Sequence, residues 1–100
     1  MTSDLVHRFV VAYDVAQDAR RIRVAKTLES HGDRIQYSVF LVDAKPARLL
    51  RLSAAVQAHL DLATDSLLIC DLGPLSHGNT ERLQFVGATR PFTSHGPLII

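Results

Sequence analysis

A lone carboxylate, Asp14, ends an apolar run and stands directly before a basic segment of the chain. The run covers residues 8–14 (RFVVAYD) and is rich in β-branched and aromatic side chains, which is typical of a strand buried on both faces. The end of a central strand is where a scaffold can hold a reactive side chain on a rigid backbone. Aspartate is also favoured in turns, so a turn-forming role together with Asp18 stays open.

The basic segment after Asp14 offers cations that suit a phosphate. On a helical wheel, Arg21 lies between Ala25 and Leu28, in the arc predicted to face a sheet. An arginine in that arc requires an anion, and two candidates stay open: an ion pair with Asp14, or a bound phosphate. The other basic residues of this helix lie on its opposite side: Arg20, Arg23 and Lys26. They form either a solvated face or a contact with a nucleic acid backbone.

A single carboxylate makes a poor site for Mg²⁺, which proteins usually hold through one or two carboxylates, waters and substrate phosphates. A two-fold axis beside the strand end would place Asp14 opposite Asp14 of the partner subunit and so create a pair. A metal ion held there would polarise a phosphate and activate a water, while Arg21, Arg23 or Arg34 would neutralise the phosphate charge. The residues therefore favour a homodimer with a shared metal site.

The remaining reactive residue types offer no competing site. The five histidines are widely spaced, and we interpret them as surface or cap residues. There is no glycine-rich phosphate loop and no nucleophile elbow. Tyr13 and Phe40 lie in predicted strands and are core residues by default, with stacking on a nucleic acid near Asp14 as the alternative. Cys70 has no second cysteine to pair with and is predicted to be buried.

Composition is that of one folded domain spanning residues 1–100. Hydrophobic residues make up 47% and charged residues 21% of the chain, which excludes the low hydropathy and high net charge of a disordered protein. No apolar run approaches the ~20 residues that span a bilayer. The sequence also lacks a targeting signal, so a cytoplasmic location is expected. A chain this short buries only about 65% of its unfolded surface, which favours support from a partner chain.

Six elements are predicted along the chain. They are a buried strand over 8–14, a helix that follows Asp18 or its neighbour as N-cap and runs to about Ser30, a strand or hairpin over 34–43, a helix after Pro46, a buried strand over 66–72 and an edge strand over 83–87. This order favours an α+β, ferredoxin-like sandwich, with an antiparallel sheet that carries two helices on one face.

Patterns within these elements predict their buried residues and ends. The buried arc of the first helix is predicted to be Ile22, Val24, Ala25 and Leu28. Gly32 is suited to end that helix in the left-handed C′ position. The core stripe of the second helix is predicted to be Leu49, Leu52, Val56 and Leu60.

Both ends of the chain are predicted to lie outside this core. Residues 1–6 form a short N-terminal extension and residues 88–100 a C-terminal tail. The tail closes on three apolar residues, at positions 98–100, which would be exposed unless they dock on another surface. We expect docking on a partner protomer; the alternative is a tail folded on its own core.

The residues discussed above also carry a family resemblance. Tyr13-Asp14, the arginines at 21 and 23, and the segment 34–40 (RIQYSVF) resemble the CRISPR-associated endoribonuclease family, the small subunit of the CRISPR adaptation complex. The resemblance is densest over residues 8–43 and continues more weakly to about residue 100. It implies a ferredoxin-like homodimer in which an extra C-terminal edge strand and the tail reach onto the neighbour's sheet.

The resemblance further implies an activity and a set of site residues. Asp14 and its symmetry mate would hold Mg²⁺ or Mn²⁺ at the dimer interface, and the site would cleave single-stranded RNA or double-stranded DNA. The other positions associated with this activity are Tyr13, Arg21, Arg23, Arg34 and Phe40. The family also bridges the larger integrase subunits during spacer acquisition. Two alternatives stay open: a catalytically silent DNA-binding scaffold of that complex, and a ribonuclease toxin of the same fold.

Overall fold

The computed structural model describes residues 5–75 and 82–88. Its elements, in chain order, are β1 (His7–Asp14), α1 (Asp18–Glu29), β2 (Asp33–Gln36), β3 (Val39–Ala44), α2 (Pro46–Gln57) and β4 (Ser66–Pro74). The strands form one antiparallel sheet in the order β2-β3-β1-β4. Both helices pack with the sheet in one core, so the predicted ferredoxin-like α+β sandwich is confirmed. No helix of the described ranges is long and apolar enough to cross a membrane.

Strand alternation decides which face of the sheet the helices cover. Phe9, Val11 and Tyr13 of β1 point into the helix-covered core, because side chains along a strand alternate between its two faces. On the opposite face, Val10 and Ala12 are only half-buried. We call this opposite side the open face of the sheet. The prediction that β1 is buried on both faces is therefore correct for the helix-covered face, whereas the open face of β1 is only half-buried.

Helix α1 buries a narrower arc than predicted. Val24, Ala25 and Leu28 are buried, but Ile22 is 56% exposed. At ~100° per residue, Ile22 lies about 160° from Val24 around the helix. The apolar side chain of Ile22 is therefore turned away from the core, and the prediction that it belongs to the buried arc is wrong.

Gly32 follows the end of α1 for a reason other than the one predicted. Among the described residues, only Gly73 and Gly87 have positive φ, so the left-handed conformation predicted for Gly32 is wrong. Gly32 is buried, and a Cβ atom there would lie 2.2 Å from the carbonyl oxygen of Leu41. Glycine is needed because the backbone passes directly against β3.

The hairpin and the second helix agree with the sequence patterns. The segment 34–43 divides into β2, a turn at residues 37–38 and the longer β3. Helix α2 has Pro46 in its first turn, a position that requires no backbone N–H. Its buried residues are the first three of the predicted stripe, and Leu60 packs partly buried against the same core.

Strand β4 is mostly exposed, and the prediction of a buried strand is wrong. Its apolar sequence suggested the sheet interior, but β4 pairs only with β1 among the described strands and so forms a sheet edge. Cys70 lies opposite Val10, on the open face, and is exposed. The prediction of a buried cysteine is wrong for the same reason.

The predicted edge strand over 83–87 is wrong for the single chain, since residues 83–86 have no regular secondary structure. Their burial still alternates: Leu83 and Phe85 are half-buried, whereas Gln84 and Val86 are exposed. An extended segment becomes a strand only when a neighbouring strand pairs with its backbone. The predicted N-terminal extension and C-terminal tail lie almost wholly outside the described residues.

The open face carries a buried ion pair between adjacent strands. Arg8 of β1 and Asp43 of β3 are register partners. Arg8 donates from Nε to Asp43 Oδ1 and from Nη2 to Asp43 Oδ2, both at 2.9 Å. The two side chains are only 4% and 9% exposed. This paired geometry satisfies both charges away from water and ties β1 to β3.

Candidate functional site

A cleft of about 330 Å³ opens between the first half of α1 and the β2–β3 hairpin. Most of its lining comes from six side chains: Tyr13, Asp18, Arg21, Ile22, Arg34 and Tyr37. Two phenols and two guanidinium groups thus face one space together with a single carboxylate. The excess of cations makes the cleft suitable for an anion.

The floor of the cleft is a stack of aromatic and guanidinium groups. Tyr13 and Phe40 are buried, and their ring centroids lie 6.2 Å apart. The Arg34 guanidinium lies 5.2 Å from the Phe40 centroid, within the range of a cation–π contact. Arg34 Nη2 donates to the Tyr13 hydroxyl at 3.4 Å. Tyr13 and Phe40 are therefore core residues, as predicted by default, that also position Arg34.

Arg34 keeps unused hydrogen-bonding capacity. Its Nε is buried and has no hydrogen-bond partner among the described residues. A buried N–H without a partner is costly, and Arg34 also lines the cleft.

Arg21 finds its anion close in sequence. Its Nη1 donates to Asp18, and its Nη2 donates to the Val15 carbonyl oxygen at 2.9 Å. The ion pair with Asp14, one of the two candidates that stayed open, is therefore not formed. The hydrogen bond with Asp18 raises the pKa of Arg21 above its ordinary value, which keeps the guanidinium charged. Because the Asp18 side chain is 88% exposed, solvent screens this pair, and a phosphate can replace it.

Asp14 lies beside the cleft but on the other side of the sheet. It is the last residue of β1 and is exposed. Since Tyr13 points into the helix-covered core, the alternation of the strand places Asp14 on the open face. The described residues contain no group of three metal-ligating side chains. Asp14 is therefore not part of such a group within the described part of one chain.

Arg23 does not join the cleft. It is exposed on α1 and does not line the cavity. Of the sequence-predicted site residues, the structure brings four together: Tyr13, Arg21, Arg34 and Phe40. Asp14 and Arg23 lie outside this group, on the open face and on the outer side of the helix.

The sequence patterns do not predict a role for Asp65, a buried aspartate. Its side chain is fully buried and accepts from Arg20 Nε at 2.8 Å, from the Ala16 amide at 3.0 Å and from the Asp61 amide at 2.9 Å. The hydrogen bond from Arg20, followed by that from Ala16, holds the pKa of Asp65 well below its usual range. Arg20 is therefore engaged in a structural pair and does not belong to a free basic face.

Asp65 also fixes the surroundings of Asp14. Ala16 lies two residues after Asp14, and Ser66, which follows Asp65, is the register partner of Asp14 in β4. No local pattern marked Asp65, because its partners lie up to 49 residues away. The one local signal is the position of Asp65, an acidic residue directly before a predicted strand.

The histidines of the described ranges do not form a site. His31 caps the end of α1 through Thr27, as predicted. His7 Nδ1 lies 2.9 Å from Asp71 across the sheet edge. His77 and His95 lie outside the described residues.

Comparison with known proteins identifies the family. The family model for CRISPR associated protein Cas2 matches residues 7–79. The CRISPR-associated endoribonuclease Cas2 3 of Rhodospirillum rubrum is 42% identical over 96 residues, which cover 91% of this chain and 98% of that protein. The CRISPR-associated endoribonuclease Cas2 of Thermus thermophilus is 36% identical over 81% of this chain and 86% of its own length.

Solved structures agree with this comparison. A hypothetical protein of Thermus thermophilus superposes with a TM-score of 0.74 at 29% identity, covering 86% of this chain and 96% of that one. Streptococcus pyogenes Cas2 superposes with a TM-score of 0.69 at 28% identity, covering 80% and 99% of the two chains. Sequence and fold therefore agree: the chain belongs to the Cas2 family of CRISPR-associated proteins.

Proposed function

We propose that this protein is a metal-dependent endonuclease that hydrolyses phosphodiester bonds of single-stranded RNA or double-stranded DNA as a homodimer, and that it bridges the integrase subunits in spacer acquisition. The observation that carries the proposal is the cationic cleft, built around Arg21 and Arg34, beside the strand end that presents Asp14. The names of the relatives, which include endoribonuclease and endonuclease, support the same reaction class.

The dimer is supported by the character of the open face. Leu68 is 65% exposed there, and Cys70 beside it is exposed. A contiguous exposed apolar surface marks a protein interface. A second copy covering this face would bring Asp14 near Asp14 of the partner subunit.

Each residue of the site then has a role in hydrolysis. The Asp14 pair would hold Mg²⁺ or Mn²⁺, which supplies Lewis-acid polarisation of the phosphate and acidifies a bound water. Arg21 and Arg34 would bind phosphate oxygens of the substrate in the cleft, on the other side of the sheet from Asp14. Phe40 and Tyr13 hold Arg34 in place, so that its guanidinium needs little reorganisation.

The test compares the wild type with Asp14→Asn on single-stranded RNA and double-stranded DNA, with Mg²⁺, with Mn²⁺ and with EDTA. Glu29→Gln, an exposed charge change at the far end of α1, is the matched control. We expect metal-dependent cutting by the wild type and by Glu29→Gln, and none by Asp14→Asn. Light scattering on the same samples should give a dimer for all three proteins.

Two outcomes would contradict the proposal. If the wild type cuts neither nucleic acid, or if Asp14→Asn cuts as fast as the wild type, the enzyme assignment fails. The protein would then be a scaffold that acts through its complex with the integrase.

A further inference from the structure

We infer that the cleft binds one unpaired nucleotide, with the Tyr37 ring stacked on its base and Arg21 and Arg34 on its phosphate. The inference rests on the proposed nucleic acid substrate and deepens it, because it selects single strands over duplexes. It also gives a role to Tyr37, which core packing does not explain.

The position of Tyr37 suits its ring for stacking on a base. Tyr37 is 65% exposed although it lines the cleft. The ring projects from the two-residue turn between β2 and β3, and the Tyr13 amide donates to the Ser38 carbonyl oxygen at 3.1 Å, which ties this turn to β1. An aromatic ring on an anchored turn loses little conformational entropy when a base stacks on it.

The opposite wall of the cleft adds a second apolar surface. Ile22 lines the cleft and is 56% exposed on α1. A base placed between Ile22 and Tyr37 would cover two apolar side chains that the fold leaves open to water. This accounts for an isoleucine turned away from the core.

The cations of the cleft supply the phosphate contacts. Arg21 and Arg34 face the same space as Tyr37. Within the described residues, the carboxylate paired with Arg21 is the exposed, screened Asp18, and the Tyr37 hydroxyl also interacts with Arg21. The buried Arg34 Nε still lacks an acceptor among the described residues. A phosphate oxygen is an acceptor of the right charge for both guanidinium groups.

The size of the cleft sets the class of ligand. A volume of about 330 Å³ lies at the lower end of small-molecule sites, which begin near ~300 Å³. A space of this size suits one nucleotide. In a duplex, each base is stacked on its neighbours and does not present a free face, whereas single strands bind through such faces and a cationic groove.

The test is fluorescence anisotropy with labelled ten-nucleotide single strands of RNA and DNA and with the matched duplex, all in EDTA so that nothing is cut. The variants are Tyr37→Ala, Tyr37→Phe and the control Leu50→Ala, which removes a 73% exposed side chain from α2. We expect Tyr37→Ala to weaken single-strand binding by roughly 5- to 100-fold. Tyr37→Phe and Leu50→Ala should stay within about 3-fold of the wild type, and duplex binding should change little in any variant.

A competition assay keeps the inference testable if Tyr37→Ala fails to fold. Nucleoside 5′-monophosphates should displace the single strand from the wild type at least about 5-fold better than ribose 5-phosphate or inorganic phosphate. Equal competition would overturn the stacking role. So would equal weakening of single-strand and duplex binding by Tyr37→Ala, or a Tyr37→Phe variant as weak as Tyr37→Ala.

The nucleotide-binding inference and the proposed hydrolysis can be refuted independently of each other. Tyr37-dependent binding of single strands by a protein that cuts nothing would uphold the inference and refute the nuclease. Cutting that depends on Asp14 but not on Tyr37, with duplexes bound as tightly as single strands, would refute the inference alone.

Discussion

Replacing Asp43 by Asn breaks the buried ion pair on the open face while keeping the shape of the side chain. In the wild type, two parallel hydrogen bonds of 2.9 Å join the Arg8 guanidinium to the Asp43 carboxylate. The amide of asparagine keeps one acceptor and turns its NH₂ group toward a cation. The guanidinium thus loses its carboxylate while its side chain is 4% exposed.

The magnitude follows from this burial. Removing one partner of a buried ion pair costs about 3–5 kcal/mol of unfolding free energy, against a total of ~5–15 kcal/mol for a typical domain. At about 4 °C or more per kcal/mol for a domain of this size, the melting midpoint should fall by at least ~12 °C. Much of this free-energy cost comes from the desolvation of an unpaired charge. The loss of stability should therefore be smaller when both charged residues are replaced.

The assay is urea and thermal unfolding followed by circular dichroism at one fixed protein concentration, because association changes apparent stability. Asp71→Asn is the matched control, since Asp71 is paired with His7 but is 49% exposed, and it should cost about 1 kcal/mol or less. The double variant Arg8→Met with Asp43→Leu should be close to the wild type or more stable.

A loss below about 1 kcal/mol in Asp43→Asn, equal to that of Asp71→Asn, would refute the reasoning. It would mean that water reaches the Arg8–Asp43 pair in solution. A double variant as unstable as Asp43→Asn would refute the desolvation argument separately.

Two further predictions concern the packing around the site. Gly32→Ala should destabilise by ~1–3 kcal/mol or more in urea unfolding, because the new Cβ meets a carbonyl oxygen at 2.2 Å; a neutral result would show that β3 moves freely. Asp65 has a depressed pKa, so its contribution to stability is present above its unfolded pKa of about 3.9 and is lost as the pH falls toward its folded pKa. Unfolding measured from pH 7 down to pH 2 should thus show a flatter acid limb in Asp65→Asn than in the wild type, and parallel limbs would contradict the assignment.

Much of the architecture could be predicted from local patterns. Two local signals predict α2: Pro46 in its first turn, and leucine and valine at intervals of three and four residues. Both signals depend only on residues within the helix itself. The division of 34–43 into β2, turn and β3 likewise depends on neighbouring residues. The resemblance placed Tyr13, Arg34 and Phe40 in one site, and the structure brings them into contact.

The errors came from positions whose environment depends on the rest of the chain. The apolar sequence of β4 is compatible with a sheet centre or with an edge, and only the order β2-β3-β1-β4 puts it at the edge with Cys70 exposed. Ile22 fits an apolar arc until α1 rotates to bury Val24 and Leu28. Both outcomes depend on which elements pack beside β4 and α1 in the folded chain.

The sequence by itself therefore determined most of the elements, their order and the core stripe of α2, because hydrophobic periodicity and turn chemistry act over short distances. Only the tertiary structure decided which charges pair and which faces stay open. Arg20 meets Asp65 across 45 residues, Arg8 pairs with Asp43 on the neighbouring strand, and Tyr37 is left facing the cleft. Such contacts depend on how strands and helices are arranged in space, and no local pattern of residues encodes that arrangement.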